Sequence, residues 1–406
     1  MESQRTAAED SAAKNTSATL SWSRRKVLAA CTTVPMTSLA GCFGDDEFEP
    51  EVQWNQNRLL SGGVRKSPTV VDGTVYVGGS DRNSYVHALD ATDGTIEWSS
   101  RTGGSVRPSP QVVDETVYVG NDGGNLYALD AETGDIEWEF ETGRNWSSSP
   151  TVASGTVFVG DTDSVVYAVD TETGEKEWHF ETDDAIYTSP TVLDGTVFIG
   201  SNDHRAYALD AETGEKQWEY DTGDLVRAAP TVSNGLVFVG SDNGIVHALD
   251  TETGSVEWET ETDRTGQNAR RFESPTVADE KLYIGSYTGD FYAFDTETGE
   301  EKWKHETDES SVYPATVVED RVLFAGWRGE EGIATLFALT TNGTVAWTME
   351  GGPFTGPTVV DGIAFLGIHH EGVVALDIDR SGSSEDTRVT LGTDGHHDEW
   401  TGNLEE

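Results

Sequence analysis

Three arginines recur at one place in this chain: Arg65, Arg107 and Arg227 each stand three residues before a proline, namely Pro68, Pro110 and Pro230. Ser147, Tyr187, Phe272, Ser311 and Phe354 hold the same place before Pro150, Pro190, Pro275, Pro314 and Pro357. Arg144, Trp146, Arg270, Arg271, Trp327 and Arg328 crowd the same stretches. Guanidinium groups beside aromatic rings suit capture of an anionic or aromatic group, through forked hydrogen bonds and cation–π contact. The candidate binding face is therefore Arg65, Arg107, Arg144, Trp146, Tyr187, Arg227, Arg271 and Trp327. The competing reading has each guanidinium neutralised by a nearby carboxylate.

Other chemistry is weakly marked. His369, His370 and Glu371, with His204 and the pair His396-His397, contain metal-ligating atoms, but adjacent residues on a strand point to opposite faces. No metal site is expected. No Ser/His/Asp order, phosphate loop or carboxylate pair stands out, so no catalytic residue is assigned. Two cysteines are present, Cys31 and Cys42. Leu39-Ala40-Gly41-Cys42 follows Arg24-Arg25-Lys26 and an uncharged span from Val27 to Gly41 that is short for a membrane-crossing helix. This resembles a twin-arginine export signal ending in a lipobox, which implies lipidation of Cys42 and removal of residues 1–41. A lipid anchor to the membrane and a place on the cell surface are then expected. Residues 42–50 read as an acidic tether.

The elements that must position these groups are set by repetition. The phrase Ala-x-Asp-x-x-Thr-Gly-x-x-x-Trp recurs with Trp98, Trp138, Trp178, Trp218 and Trp258 spaced 40 residues apart. Before each copy come β-rich runs such as Thr151-Val152 and Thr156-Val157-Phe158-Val159-Gly160, so one unit reads as four short strands. Units of this length with four strands are blades of a propeller. The prolines mark eight blade starts, and the third-strand phrase typified by Tyr127-Ala128-Leu129-Asp130 also occurs eight times. The predicted fold is all-β: an eight-bladed propeller of four-stranded antiparallel blades over residues 51–378.

The last blade lacks its fourth strand, since no tryptophan follows Asp377 at the usual distance and Glu385 stands there instead. A spare strand, Glu51-Val52-Gln53-Trp54, lies before the first blade. Donated to the last blade, it would join the ends of the ring and remove an exposed edge. Blade seven is irregular, with Thr340 in place of the motif aspartate. Residues 379–406 read as an acidic, disordered tail.

Acidic residues number 73 against 26 basic ones, a formal charge of −47. With 12 tryptophans and 14 phenylalanines this is a folded body under an acidic coat, in the style of a protein from a salt-loving archaeon. Nucleic-acid binding is not expected, because neutralising phosphates needs a basic face. A monomer is expected.

The repeated phrase resembles the tryptophan-docking motif of the pyrroloquinoline-quinone (PQQ) type propeller repeat, found in quinoprotein alcohol dehydrogenases and in the lipoprotein of the bacterial outer-membrane β-barrel assembly machine. The resemblance implies that Trp54, Trp98, Trp138, Trp178, Trp218, Trp258, Trp303 and Trp347 are structural. Each would pack between the motif alanine of its own blade, such as Ala128, and the glycine turn of a neighbour, such as Gly134. The dehydrogenases of that family carry a vicinal disulfide and a calcium site, and this chain has no Cys-Cys pair. No PQQ or other cofactor is therefore expected. The resemblance points to a non-catalytic protein-binding or assembly scaffold with an unidentified protein partner at the loop face. A PQQ-dependent dehydrogenase and a carbohydrate- or surface-binding adhesin are the alternatives.

Overall fold

The computed structural model describes residues 50–56, 63–79, 85–142, 148–262, 271–328, 334–352, 354–369 and 372–378. Among them lie eight antiparallel sheets and no helix. Blade three is typical: Thr151–Ala153, Thr156–Gly160, Val165–Asp170 and Lys176–Glu181 pair in chain order, from the axis outward. Every residue of Thr156–Gly160 is buried, whereas in Lys176–Glu181 only Trp178 is. Blades pack face to face, so the inner strands are covered on both sides and read as continuous apolar runs. The outer strand meets a neighbour mainly through its tryptophan, with the residue two places later, as in Phe140 on Tyr167 and Phe180 on Tyr207, adding a second contact.

First and second strands are joined by two-residue turns in which both residues have positive φ, as in Asp72 (47°) and Gly73 (80°) or Asp194 (48°) and Gly195 (73°). Turns of that hand follow the natural twist of a hairpin. Third and fourth strands are joined by the motif turn. There Asp130 Oδ1 accepts the N–H groups of Glu132 at 3.1 Å and Thr133 at 2.7 Å, and Gly134 takes φ 74°. A bulge comes next: Ala128 pairs with Trp138 but Leu129 with Ile136, so Glu137 is skipped. The same skip precedes each tryptophan from Trp98 to Trp303, and it aims the indole into the seam.

From Trp54 to Trp303 each docking indole N–H donates to the carbonyl that follows the next blade's motif aspartate, or Thr340 where that residue replaces it. Seven such bonds, from Trp54→Ala91 to Trp303→Thr341, span 2.7–3.0 Å. The indole face covers the neighbour's motif glycine so closely that a Cβ on Gly134 would lie 2.5 Å from Trp98 Cε3. Nearer the axis, the hydroxyls of Thr69, Thr151, Thr191, Thr231, Thr276, Thr316 and Thr358 donate to a carbonyl of the following blade at 2.5–2.8 Å.

The ring closes as expected. Glu51–Gln56 pairs with Gly372–Asp377, and the skip at Gln53 brings Trp54 opposite Ala375. Thr358 of blade eight donates to Pro68 of blade one. Blade seven carries an additional short strand, Ser311–Val312, paired to Gly326 and Trp327. One landmark needs correcting: Thr276 bonds the carbonyl of Ala315, so Ala315 and not Pro314 opens blade seven. The signal region, Cys42, the tether up to Glu49 and residues 379–406 lie outside the described residues.

The motif aspartates brace their turns in the ionised form. Asp90, Asp130, Asp170, Asp210 and Asp250 are held below the ordinary carboxyl range by threonine hydroxyls and turn N–H groups. Asp295 is held at about 2, chiefly by Lys302. A depressed carboxyl stabilises the fold above its unfolded value, near 4, and that contribution is lost as pH falls through the folded value. Melting temperature is expected to fall steeply below about pH 4. A melting temperature unchanged between pH 5 and pH 3 would show that these turns do not support the ring.

Candidate functional site: the loop face around the axis

Because the strands alternate in direction, the loops entering each first strand and those joining second to third strands lie at one end of the ring. Motif turns and first-to-second turns lie at the other. In six blades an apolar residue fixes the entering loop by resting on the glycine that ends the preceding blade's second strand. A Cβ on Gly78, Gly160, Gly200 and Gly367 would lie 2.2–2.5 Å from side-chain atoms of Val106, Ile186, Val226 and Val64. The next residue in each loop is then Arg107, Tyr187, Arg227 or Arg65.

The register changes further round. Phe272 and Val312 are the residues that rest on Gly240 and Gly285. Phe272, which the sequence puts in line with the arginines, is buried; so are Ser311 and Phe354. Glu273 and Tyr313 follow the buried residue in those blades. Arg144, Trp146 and Arg270 fall outside the described residues, as do His370, Glu371 and the tail histidines.

Two clusters emerge. In the first, Arg107 Nε lies 2.8 Å from Asp122 Oδ2, and Arg65 of blade one acts electrostatically on the same carboxyl. In the second, Arg227 Nη1 lies 3.1 Å from Asp242 Oδ2, and Arg271 of blade six acts on that carboxyl. Arg227 also donates from Nε to Asn202 at 3.4 Å. Burial pushes both aspartates above the ordinary range, against the pull of their arginines. Arg271 sits 4.4 Å above the ring of Tyr287, whose hydroxyl bonds the buried Glu273. Burial raises that phenol strongly, so it remains a donor. Tyr187 is 42% exposed.

Trp327 ends the second strand of blade seven, and its neighbour Arg328 reaches Glu309 at 3.2 Å. Glu309 is buried and also accepts from Thr335 at 2.7 Å. His369 meets Tyr313 edge-on at 6.3 Å, in blade eight. His204, in blade four, is exposed and takes φ 75°, where Gly124, Gly244 and Gly289 stand in other blades. The structure does not bring these two histidines together. Among the described residues no three His, Cys, Asp or Glu side chains are placed to hold a metal.

Sequence reasoning missed Asp122, Asp242, Glu273 and Tyr287. The first two and Tyr287 share a place two residues after the glycine ending a second strand, a signal that a repeat alignment exposes. A seam group was also missed: His247, 2% exposed, holds Nδ1 3.1 Å from Glu259 and meets the hydroxyl of Tyr220 from the preceding blade at 3.4 Å.

Eight blades with indoles over neighbouring turns at seven seams, and a polar and arginine-bearing loop face, define a β-propeller of the PQQ-like repeat class. The family model described as "Outer membrane protein assembly factor BamB" matches residues 46–145 and 138–347, and the chain belongs to that family. BamB from Moraxella catarrhalis is similar with a TM-score of 0.67 and 20% identity, over 81% of this chain and 99% of that one. The computationally designed Ika8 protein gives 0.69 and 16%, over 80% and 99%. Quinohemoprotein alcohol dehydrogenase ADHIIG from Pseudomonas putida HK5 gives 0.61 and 16%, over 80% and 76%. At such identities these likenesses show the fold alone. No curated protein sequence matches significantly.

Proposed function

We propose that this chain is an extracytoplasmic lipoprotein, anchored through Cys42, that serves as a non-catalytic scaffold and binds a protein partner with its loop face. The family match over residues 46–347 carries this reading. The loop face adds to it: exposed Tyr187 and the arginines of two clusters are surface groups of the kind enriched where proteins meet. Working without a quinone is supported by the sequence, in which Cys31 and Cys42 are the two cysteines and no vicinal pair exists.

The likeness to a quinohemoprotein dehydrogenase keeps a second reading in view. Incubation with PQQ and calcium, followed by a dye-coupled alcohol oxidation assay, is expected to give no turnover. Turnover that depends on both additions would replace the scaffold reading with the enzyme. For the anchor, Cys42→Ser is expected to move the protein from the membrane fraction to the soluble one, and Arg24→Lys/Arg25→Lys to hold it inside the cell. Membrane retention of the Cys42→Ser protein would refute lipidation. Crosslinking from residue 187 in intact cells is expected to capture one defined protein; capture from the opposite face alone would relocate the partner.

A further inference from the structure

We infer that the loop face is a two-point clamp for an acidic polypeptide segment, gripped at opposite sides of the ring by the two arginine clusters. This rests on the loop face being the partner face. The clusters are alike in construction. Each sets one arginine against a half-buried aspartate of its own blade, Arg107 on Asp122 and Arg227 on Asp242. A second arginine comes from an adjoining blade, Arg65 from blade one or Arg271 from blade six, and acts on the same carboxyl. Neither second arginine has a carboxylate within ion-pair distance among the described residues. Each cluster thus has one guanidinium bound and one with its forked donors uncommitted.

Their placement is fixed by blade order. Inner strands contact in sequence around the ring, and the last contacts the first. One cluster straddles the seam of blades one and two, the other the seam of blades five and six. These seams are half a ring apart, so the clusters face each other across the axis.

Charge then selects the ligand. A planar carboxylate matches a guanidinium fork in bidentate geometry. A chain with −47 formal charge repels acidic segments over most of its surface, so two opposed loop sites, each with a guanidinium that has no ion-paired carboxylate among the described residues, favour seating one, although Asp224 and Glu273 add negative charge at the second. Two weak contacts on one chain reinforce each other, because binding the first raises the local concentration at the second. An extended acidic peptide spans two sites across the axis, whereas a single free carboxylate does not.

Fluorescence anisotropy with a labelled decaglutamate peptide tests this on the full chain. At about 0.15 M salt the screening length is roughly 8 Å, which mutes the coat's long-range repulsion and leaves contacts intact. The wild-type protein is expected to bind decaglutamate and not decaserine. Arg65→Gln and Arg271→Gln, each alone, are expected to weaken binding roughly tenfold or more, the size of one charge-assisted contact. Diglutamate is expected to lose most of the affinity in the wild type and to be insensitive to which cluster is removed. Asp122→Asn and Asp242→Asn are expected to tighten binding, a direction that loss of structure cannot produce. Unchanged melting curves for the Gln variants provide the folding control.

Absence of decaglutamate binding, or binding equal in wild type and Arg65→Gln/Arg271→Gln, overturns the clamp. Stronger retention of polyphosphate than of decaglutamate overturns the polypeptide assignment. A partner crosslinked at residue 187 without decaglutamate binding would leave the scaffold reading standing and the clamp refuted.

Discussion

Trp54→Ala is expected to cost about 3–5 kcal/mol, the usual loss for a large buried aromatic. Its indole is 9% exposed, donates to Ala91 at 2.8 Å and lies over Gly94. Trp178→Ala removes the same contacts inside the ring, with a comparable local loss. The two sites differ in how their blades are connected. Blades three and four remain joined by unbroken chain, whereas the outer strand of blade eight, which runs on into blade one, is held to the rest of blade eight only by pairing with Gly372–Asp377 and by side chains. Loss of the Glu51–Gln56 strand exposes the edge of Gly372–Asp377, and unpaired edges recruit other chains. Trp54→Ala is therefore expected to show concentration-dependent association before its melting transition, and Trp178→Ala is not. Denaturant titration with light scattering checks both. Identical behaviour of the two variants would mean that strand pairing alone holds the ring.

Gly214→Ala is expected to rival that loss, and a matched control divides its causes. Gly195 and Gly214 have nearly the same backbone angle, φ 73° and 72°. A Cβ at Gly195 meets nothing within 4 Å, while one at Gly214 lies 2.7 Å from Trp178. Gly195→Ala bears only the cost of the left-handed conformation, about 1–2 kcal/mol. Gly214→Ala adds an overpacking penalty of roughly 1–3 kcal/mol. In a Trp178→Ala background the difference is expected to vanish, because the obstructing ring is gone. A difference that persists there would locate the strain elsewhere.

These two experiments probe the parts of the fold most legible in the sequence. Trp54 could be assigned to blade eight because a docking tryptophan without a preceding blade has one place to go, and its bulge at Gln53 repeats the motif across the chain ends. The loop face was harder to read. Proline is a good landmark only while it keeps its place relative to the buried residue, and in blade seven Ala315 holds that place while Pro314 precedes it. In blade six the loop resumes one residue differently, so Phe272 reads as a neighbour of the arginines although it is buried. Asp122 and Asp242 were hidden for another reason: among 73 acidic residues, nothing local distinguishes a carboxylate facing an arginine from one facing water. The approach of Arg65 and Arg271 to those carboxylates from an adjoining blade is a property of the packed ring, and no single repeat contains it.

The pairing of Glu51 with Asp377 also fixes the end of the ring at which the N-terminal strand begins. The N-terminal strand starts at the end of the ring that holds the motif turns and runs toward the end that holds the loops. If Cys42 carries the proposed lipid, the nine residues from there to Glu51 could reach at most about 30 Å from the turn side. Under the anchoring proposed above, so short a leash would turn the motif-turn side to the bilayer and leave both arginine clusters looking outward, away from lipid headgroups and toward whatever approaches from the medium.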